Sequence, residues 1–154
     1  MSNNIFVYTF RTFPYLPELQ THFDSVFVLN KLKNDLNNLC QIIKDGGYQT
    51  VLGIAKAGNR TKYSMIETVA INKFTRIRSV DKNGPLQLNL NVPPKMLHKY
   101  FKVRKNSTTA FCNYAMYKTQ LCILQNKLET KHVFIHIKPE HIQYLDNIID
   151  ELNS

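Results

Sequence analysis

Ser25-Val-Phe-Val-Leu29 leads into an amphipathic run over residues 31–44, and Gln49-Thr-Val-Leu-Gly-Ile54 follows it. The outer two segments are apolar and rich in β-branched residues, the composition of short buried strands. Between them Leu32, Leu36, Leu39, Cys40 and Ile43 recur at helical spacing, with Lys and Asn on the other face. Asp45-Gly-Gly closes the helix, because glycine adopts the left-handed conformation that ends helices. Strand, helix and strand in this order predict an α/β layered fold with a largely parallel core.

Reading outward toward the N-terminus, Asn4–Phe10 predicts a further buried strand, and Phe10-Arg-Thr-Phe-Pro-Tyr-Leu-Pro17 predicts a loop. Toward the C-terminus, a polar loop Lys56-Ala-Gly-Asn-Arg-Thr61 leads to one strand over Ser64–Asn72. Thr75–Val80 and Leu86–Val92 flank Asp81-Lys-Asn-Gly-Pro85, which predicts a hairpin or long turn. Pro93–Phe101 predicts a short helix opened by proline. A helix over about 109–127 comes next, then a strand over His132–Ile137. An amphipathic helix over Pro139–Leu152 turns Ile142, Leu145, Ile148, Ile149 and Leu152 inward. With 154 residues and no long linker, the chain is expected to form one domain over 1–154.

Hydrophobic content of 44% and charged content of 20% fit a soluble globular protein. No apolar run approaches a membrane span, and no signal peptide is read at the N-terminus. The three cysteines, Cys40, Cys112 and Cys122, are odd in number and lack metal-site spacing. They are expected to be reduced thiols in a cytoplasmic protein. No metal or other cofactor is expected, since no pair of Cys, His, Asp and Glu has zinc-site spacing. The net charge of +9 is spread over Lys31, Lys33, Arg76, Arg78, Lys102, Arg104 and Lys105 among others. Without a nucleic-acid-binding motif, that pattern describes a solvated basic surface, not a nucleic-acid partner.

The stretch Asn106-Ser-Thr-Thr-Ala-Phe-Cys-Asn-Tyr-Ala-Met-Tyr117 carries the chemistry. Small hydroxyl residues before a helical run are an N-cap signal, which sets Cys112 in the first turn. A thiol beside the unpaired N–H groups of a helix start has a depressed pKa and a larger thiolate fraction. Cys112 is therefore the candidate nucleophile; the residues alone also allow a small buried apolar side chain. A cysteine nucleophile needs a base. His136 ends an apolar strand at its carboxyl end, where α/β sheets hold ligands, and fits either a base or a hydrogen-bonded core histidine. Glu67 is the lone acid of an apolar strand, either paired with a partner or facing outward. His22, His98, His132 and His141 are expected on the surface.

Four segments resemble pyroglutamyl peptidase I, the pyrrolidone carboxyl peptidase family. Gly53-Ile-Ala-Lys-Ala-Gly-Asn-Arg-Thr-Lys-Tyr-Ser-Met-Ile-Glu-Thr-Val-Ala-Ile-Asn72 is similar to its glutamate signature, and Ser107–Asn113 to its cysteine signature. Val133-Phe-Ile-His-Ile-Lys-Pro139 resembles its histidine segment, and Thr9-Phe-Arg-Thr-Phe13 its N-terminal Gly-Phe-Glu-Pro-Phe. The resemblance implies a three-layer α/β/α sandwich around a mixed, mostly parallel sheet, assembled as a homo-oligomer. It implies Cys112 as nucleophile, His136 as general base and acid, and Glu67 as the orienting carboxylate. It further implies main-chain oxyanion donors around Ala110–Cys112, and Phe10, Phe13 and Arg60 as substrate-binding residues. The substrate would be a peptide with a blocked N-terminus, cleaved through a thioester.

The chain also departs from the family. It is shorter in the region after Phe13, Lys56 replaces a glutamine, Thr108 a glycine and Ala110 an aromatic residue. The alternative is a catalytically inactive or specificity-shifted peptidase-like binding protein on the same fold.

Overall fold

The computed structural model describes residues 4–93, 99–108 and 110–154. In chain order the elements are β1 (Ile5–Phe10), α1 (Leu16–Gln20), β2 (Phe27–Leu29), α2 (Leu32–Gly46), β3 (Thr50–Lys56), β4 (Ser64–Glu67) and β5 (Val69–Ile71). They continue with β6 (Gln87–Asn89), β7 (Phe101–Arg104), α3 (Ala110–Gln125), β8 (Lys131–Ile137), a 3-10 turn over Pro139–Tyr144, and α4 (Leu145–Asn153). A six-stranded sheet runs β2-β1-β3-β8-β4-β7. All its pairings are parallel except β4 against β8.

Strand alternation divides the core into two layers. Tyr8, Val51, Ala55 and Phe134 pack with Leu36, Leu39 and Ile43 of α2 and Ala115, Met116 and Ile123 of α3. On the opposite face Val7, Leu52, Ile54, Val133, Ile135 and Ile137 pack with Leu19 of α1, Ile142 of the 3-10 turn, and Leu145 and Ile148 of α4. The result is an α/β/α sandwich around a mixed, mostly parallel sheet. Each fully buried Leu or Ile contributes about 1.5–3 kcal/mol. Gly53 sits mid-sheet in β3, where a Cβ would collide with the rings of Tyr8 and Phe134. Gly47 ends α2 with φ 63°, the left-handed cap expected from Asp45-Gly-Gly.

Several expectations are corrected. The loop over Phe10–Pro17 gives way at Leu16 to the short helix α1, which has proline in its first turn. Ser64–Asn72 is not one strand. It breaks at Thr68 into β4, in the main sheet, and β5, which pairs antiparallel with β6 in a separate two-stranded sheet. Of the hairpin or long turn expected around Asp81–Pro85 the structure has the long turn: Thr75–Val80 forms no strand, and Phe74 and Thr75 both donate to the Arg78 carbonyl. Of the proline-opened helix over 93–101, residues 94–98, including His98, lie outside the described residues; Phe101 begins β7. The closing helix starts as a 3-10 turn, and Ile149 and Leu152 are only half-buried.

The cysteines also differ from expectation. Cys40 of α2 and Cys122 of α3 form a disulfide, with Cα atoms 6.0 Å apart, and Cys112 stays free. Two of three thiols can pair whatever the count; what brings them together is the packing of α2 on α3. Because the bond spans 82 residues of sequence, it removes a large loop-closure entropy from the unfolded chain.

Candidate active site

Cys112 occupies the first turn of α3, where the leading N–H groups of a helix have no intrahelical acceptor. Asn113, buried, fixes that turn. Its Oδ1 accepts from Ile71 N at 2.9 Å, and its Nδ2 donates to the carbonyls of Ile71 at 2.9 Å and Lys73 at 3.1 Å. Sequence reasoning gave Asn113 no role; its signal was the Cys-Asn pair inside the cysteine signature.

Antiparallel pairing of β4 with β8 brings the other two residues together. Glu67 pairs with Phe134 and Met65 with His136, so Glu67 and His136 are diagonal neighbours on one face. His136 Nδ1 lies 2.8 Å from Glu67 Oε2, and Nε2 lies 3.3 Å from Cys112 Sγ. An ionised Glu67 accepts a hydrogen bond from Nδ1–H, which leaves Nε2 to exchange a proton with the thiol. Glu67 is fully buried, and Arg104 Nε forms an ion pair with the same Oε2 at 3.1 Å. Burial opposes charge on the His136 ring. Hydrogen bonds to Cys112 and Glu67 outweigh it and raise the imidazole pKa to about 9.

Cys112 opens on a cavity of about 370 Å³. Phe10, Phe13, Leu29, Leu32 and Phe111 give it apolar walls, and Arg11 and Lys56 stand on its lining. Phe111 is 64% exposed there. Phe10 and Phe13 thus line the same cavity as Cys112. Arg60 does not: it stays exposed on the loop after β3. The cation in contact with Glu67 is instead Arg104, which sequence reasoning counted only as surface charge.

Two histidines expected on the surface are buried. His132 is 0% exposed, with Nε2 2.9 Å from the Tyr8 hydroxyl, and burial lowers its pKa to about 3. His141 faces Ser64 Oγ at 2.8 Å, and Lys138 N donates to the same oxygen at 2.9 Å. Ser64 is 0% exposed, so this Ser–His contact ties β4 to the 3-10 turn and offers a substrate no entry. His132 is followed in β8 by residues that are all buried, whereas His141 goes in beside Ile142 from a turn whose Pro139, Glu140 and Gln143 stay exposed. His22 is half-buried, with Nδ1 2.8 Å from Asp146. Among the described residues, no group of three His, Cys, Asp or Glu side chains could hold a metal ion. Nor is any helix among them long and apolar enough to cross a membrane.

No protein-family model matches the chain, and no curated protein matches it in sequence. Solved structures do match its fold. Pyroglutamyl peptidase I of Bacillus amyloliquefaciens is 20% identical with a TM-score of 0.74, covering 96% of this chain and 92% of that one. Pyrrolidone carboxyl peptidase of Thermococcus litoralis is 16% identical with a TM-score of 0.75, covering 96% and 90%. A mutant pyrrolidone carboxyl peptidase of Pyrococcus furiosus is 18% identical with a TM-score of 0.72, covering 94% and 85%. At these identities the likeness concerns architecture, and the chain has the fold of the pyroglutamyl peptidases.

Proposed function

We propose that this chain is a cysteine peptidase of the pyroglutamyl peptidase type. It removes a pyroglutamyl or related blocked residue from the N-terminus of a peptide, with residues 1–154 acting as one domain of that kind. The observation that carries the reading is the hydrogen-bonded series Cys112–His136–Glu67 at the wall of an aromatic cavity. The fold shared with known peptidases supports it.

In this reading the Cys112 thiolate attacks the carbonyl carbon of the scissile amide while His136 carries the proton. Backbone N–H groups at the start of α3 receive the developing oxyanion. His136 passes its proton to the leaving amine, the C–N bond breaks, and a thioester remains on Cys112. His136 then takes a proton from water as the water attacks the thioester, and the thiol leaves with that proton. Glu67 holds the ring in one tautomer throughout. Phe10, Phe13 and Phe111 enclose the blocked residue. Cys112 supplies the first nucleophile and water the second, with His136 carrying the proton in both halves, so the scheme uses no cofactor.

Lys56 at the cavity favours a second reading, a site whose specificity has shifted or whose binding outlived its catalysis. A cation where a lactam-recognising amide is expected alters which acyl groups fit. Assembly as a homo-oligomer belongs to the proposal as well. The expected cytoplasmic location rests on reduced thiols, which the Cys40–Cys122 bond replaces, since disulfides persist in oxidising compartments.

The test is hydrolysis of a pyroglutamyl fluorogenic amide by the full chain and by Cys112→Ala. Cleavage by the wild type that is lost in the variant is the expected result. Equal cleavage by both overturns the role of Cys112. No cleavage of this or other N-blocked amides by the wild type overturns the peptidase reading in favour of the binding protein.

A further inference from the structure

Parallel pairing of β4 with β7 sets Glu67 directly beside Arg104. The next residue, Thr68, donates its hydroxyl to the Arg104 carbonyl at 2.6 Å and fixes the end of β7 there. Arg104 Nε reaches Glu67 Oε2 at 3.1 Å, on the same oxygen that His136 Nδ1 contacts at 2.8 Å. The other oxygen, Oε1, is buried with no hydrogen-bond partner among the described residues. The Arg104 side chain is 36% exposed and Glu67 0%, so the guanidinium lies at the boundary between solvent and a sealed carboxylate.

The reaction cycle asks for such a group. His136 is positive while Nε2 holds a second proton and neutral once the leaving amine has taken it. During the neutral phase the imidazole gives Glu67 no counter-charge, and a buried carboxylate without one is costly. The guanidinium remains charged at any working pH. Among the described residues, His136 of β8 and Arg104 of β7 contact Glu67; Cys112 of α3 lies beyond the ring, and the neutral Tyr8 hydroxyl of β1 faces Cys112 in turn.

We propose that Arg104 is a positioning residue of this site: its fixed charge balances Glu67 through the whole cycle and sets the lowest pH at which Cys112 reacts. The inference rests on the Cys112–His136 reading. The sign does not depend on which group takes the proton. Removing a fixed positive charge beside coupled acids raises the affinity of the whole set for one more proton. That extra proton converts the reactive thiolate–imidazolium pair into thiol and imidazolium, so the acid limb of Cys112 reactivity moves to higher pH.

The experiment measures iodoacetamide alkylation of Cys112 by mass spectrometry between about pH 4.5 and 8.5. It uses the full chain as wild type, Arg104→Met and Arg104→Lys, each normalised to its own rate at pH 8. Arg104→Met is expected to move the acid limb up by about one pH unit, a relative loss of about threefold to fivefold near pH 5. Arg104→Lys is expected to return the limb most of the way to the wild-type position. A limb unmoved in Arg104→Met, or moved equally in Arg104→Lys, overturns the proposal. Should Arg104→Met fail to fold, Arg104→Gln carries the same test with a polar side chain. A wild-type profile like that of a free thiol overturns the Cys112–His136 pair itself. Peptide cleavage enters none of these arms. A chain that alkylates as expected but cleaves no blocked peptide would refute the peptidase reading and leave the role of Arg104 standing.

Discussion

His132 and His136 stand on the same strand and the same face, four residues apart, and both are buried. Burial pushes the first down to a pKa of about 3, whereas the second is raised to about 9. The strand and the desolvation are common to both; the partners are not. His132 has the neutral Tyr8 hydroxyl on Nε2 and no partner on Nδ1 among the described residues. His136 has Glu67 on one nitrogen and the Cys112 sulfur on the other. Burial alone makes a histidine an inert polar core residue; burial between two acids makes it a proton carrier.

The contrast breaks most visibly on substitution. His136→Ala should lower kcat/KM for a pyroglutamyl amide by about a thousandfold, the scale of a lost general acid–base. His132→Gln should stay within about threefold of wild type at a temperature where both are folded, since His132 is not among the residues lining the cavity at Cys112. Steady-state kinetics of the two variants side by side checks this. A comparable loss in both would mean that position on β8, not partnership, decides the effect.

Acid stability sharpens the same comparison from the other side. The folded-state pKa of His132 is depressed, so the unfolded chain binds a proton near pH 6.5 that the folded chain refuses until about pH 3. The associated stability is therefore complete above pH 6.5 and drains away as pH falls toward 3. By pH 4 the loss is about 3 kcal/mol. Urea unfolding of wild type and His132→Gln at pH 7 and pH 4 should show a smaller acid penalty in the variant.

Glu67→Gln gives the smallest change. It keeps an acceptor for Nδ1 but removes the charge that supports the imidazolium. Turnover is expected to fall tenfold to a hundredfold, with His136 losing part of its elevation. A histidine titration followed by NMR reads that shift, and an unmoved His136 would reassign its elevation to Cys112 alone.

The sequence showed what local composition controls. The strand–helix–strand stretch over residues 25–54 was legible because each segment has a clean period and α2 a clear glycine stop. Cys112 was legible through its helix start, and Glu67 because a lone acid in an apolar strand needs a partner. What stayed hidden depends on contacts between distant segments. Arg104 meets Glu67 only through the β4–β7 register, and the Cys40–Cys122 bond only through the packing of α2 on α3. Nothing near His132 or His141 in sequence signals the Tyr8 and Ser64 hydroxyls that accompany them into the core. The break at Thr68 was missed because β4 and β5 share one apolar composition while serving different sheets.

The most direct test of the central claim is the pH dependence of Cys112 alkylation in wild type, His132→Gln and His136→Ala. If Cys112 and His136 act as one pair, wild type and His132→Gln give a level rate from about pH 6 to 8. His136→Ala then rises about tenfold per pH unit, as an ordinary thiol does below its pKa. A wild-type rate that climbs like that of an ordinary thiol, or a His136→Ala profile that matches wild type, would contradict the account.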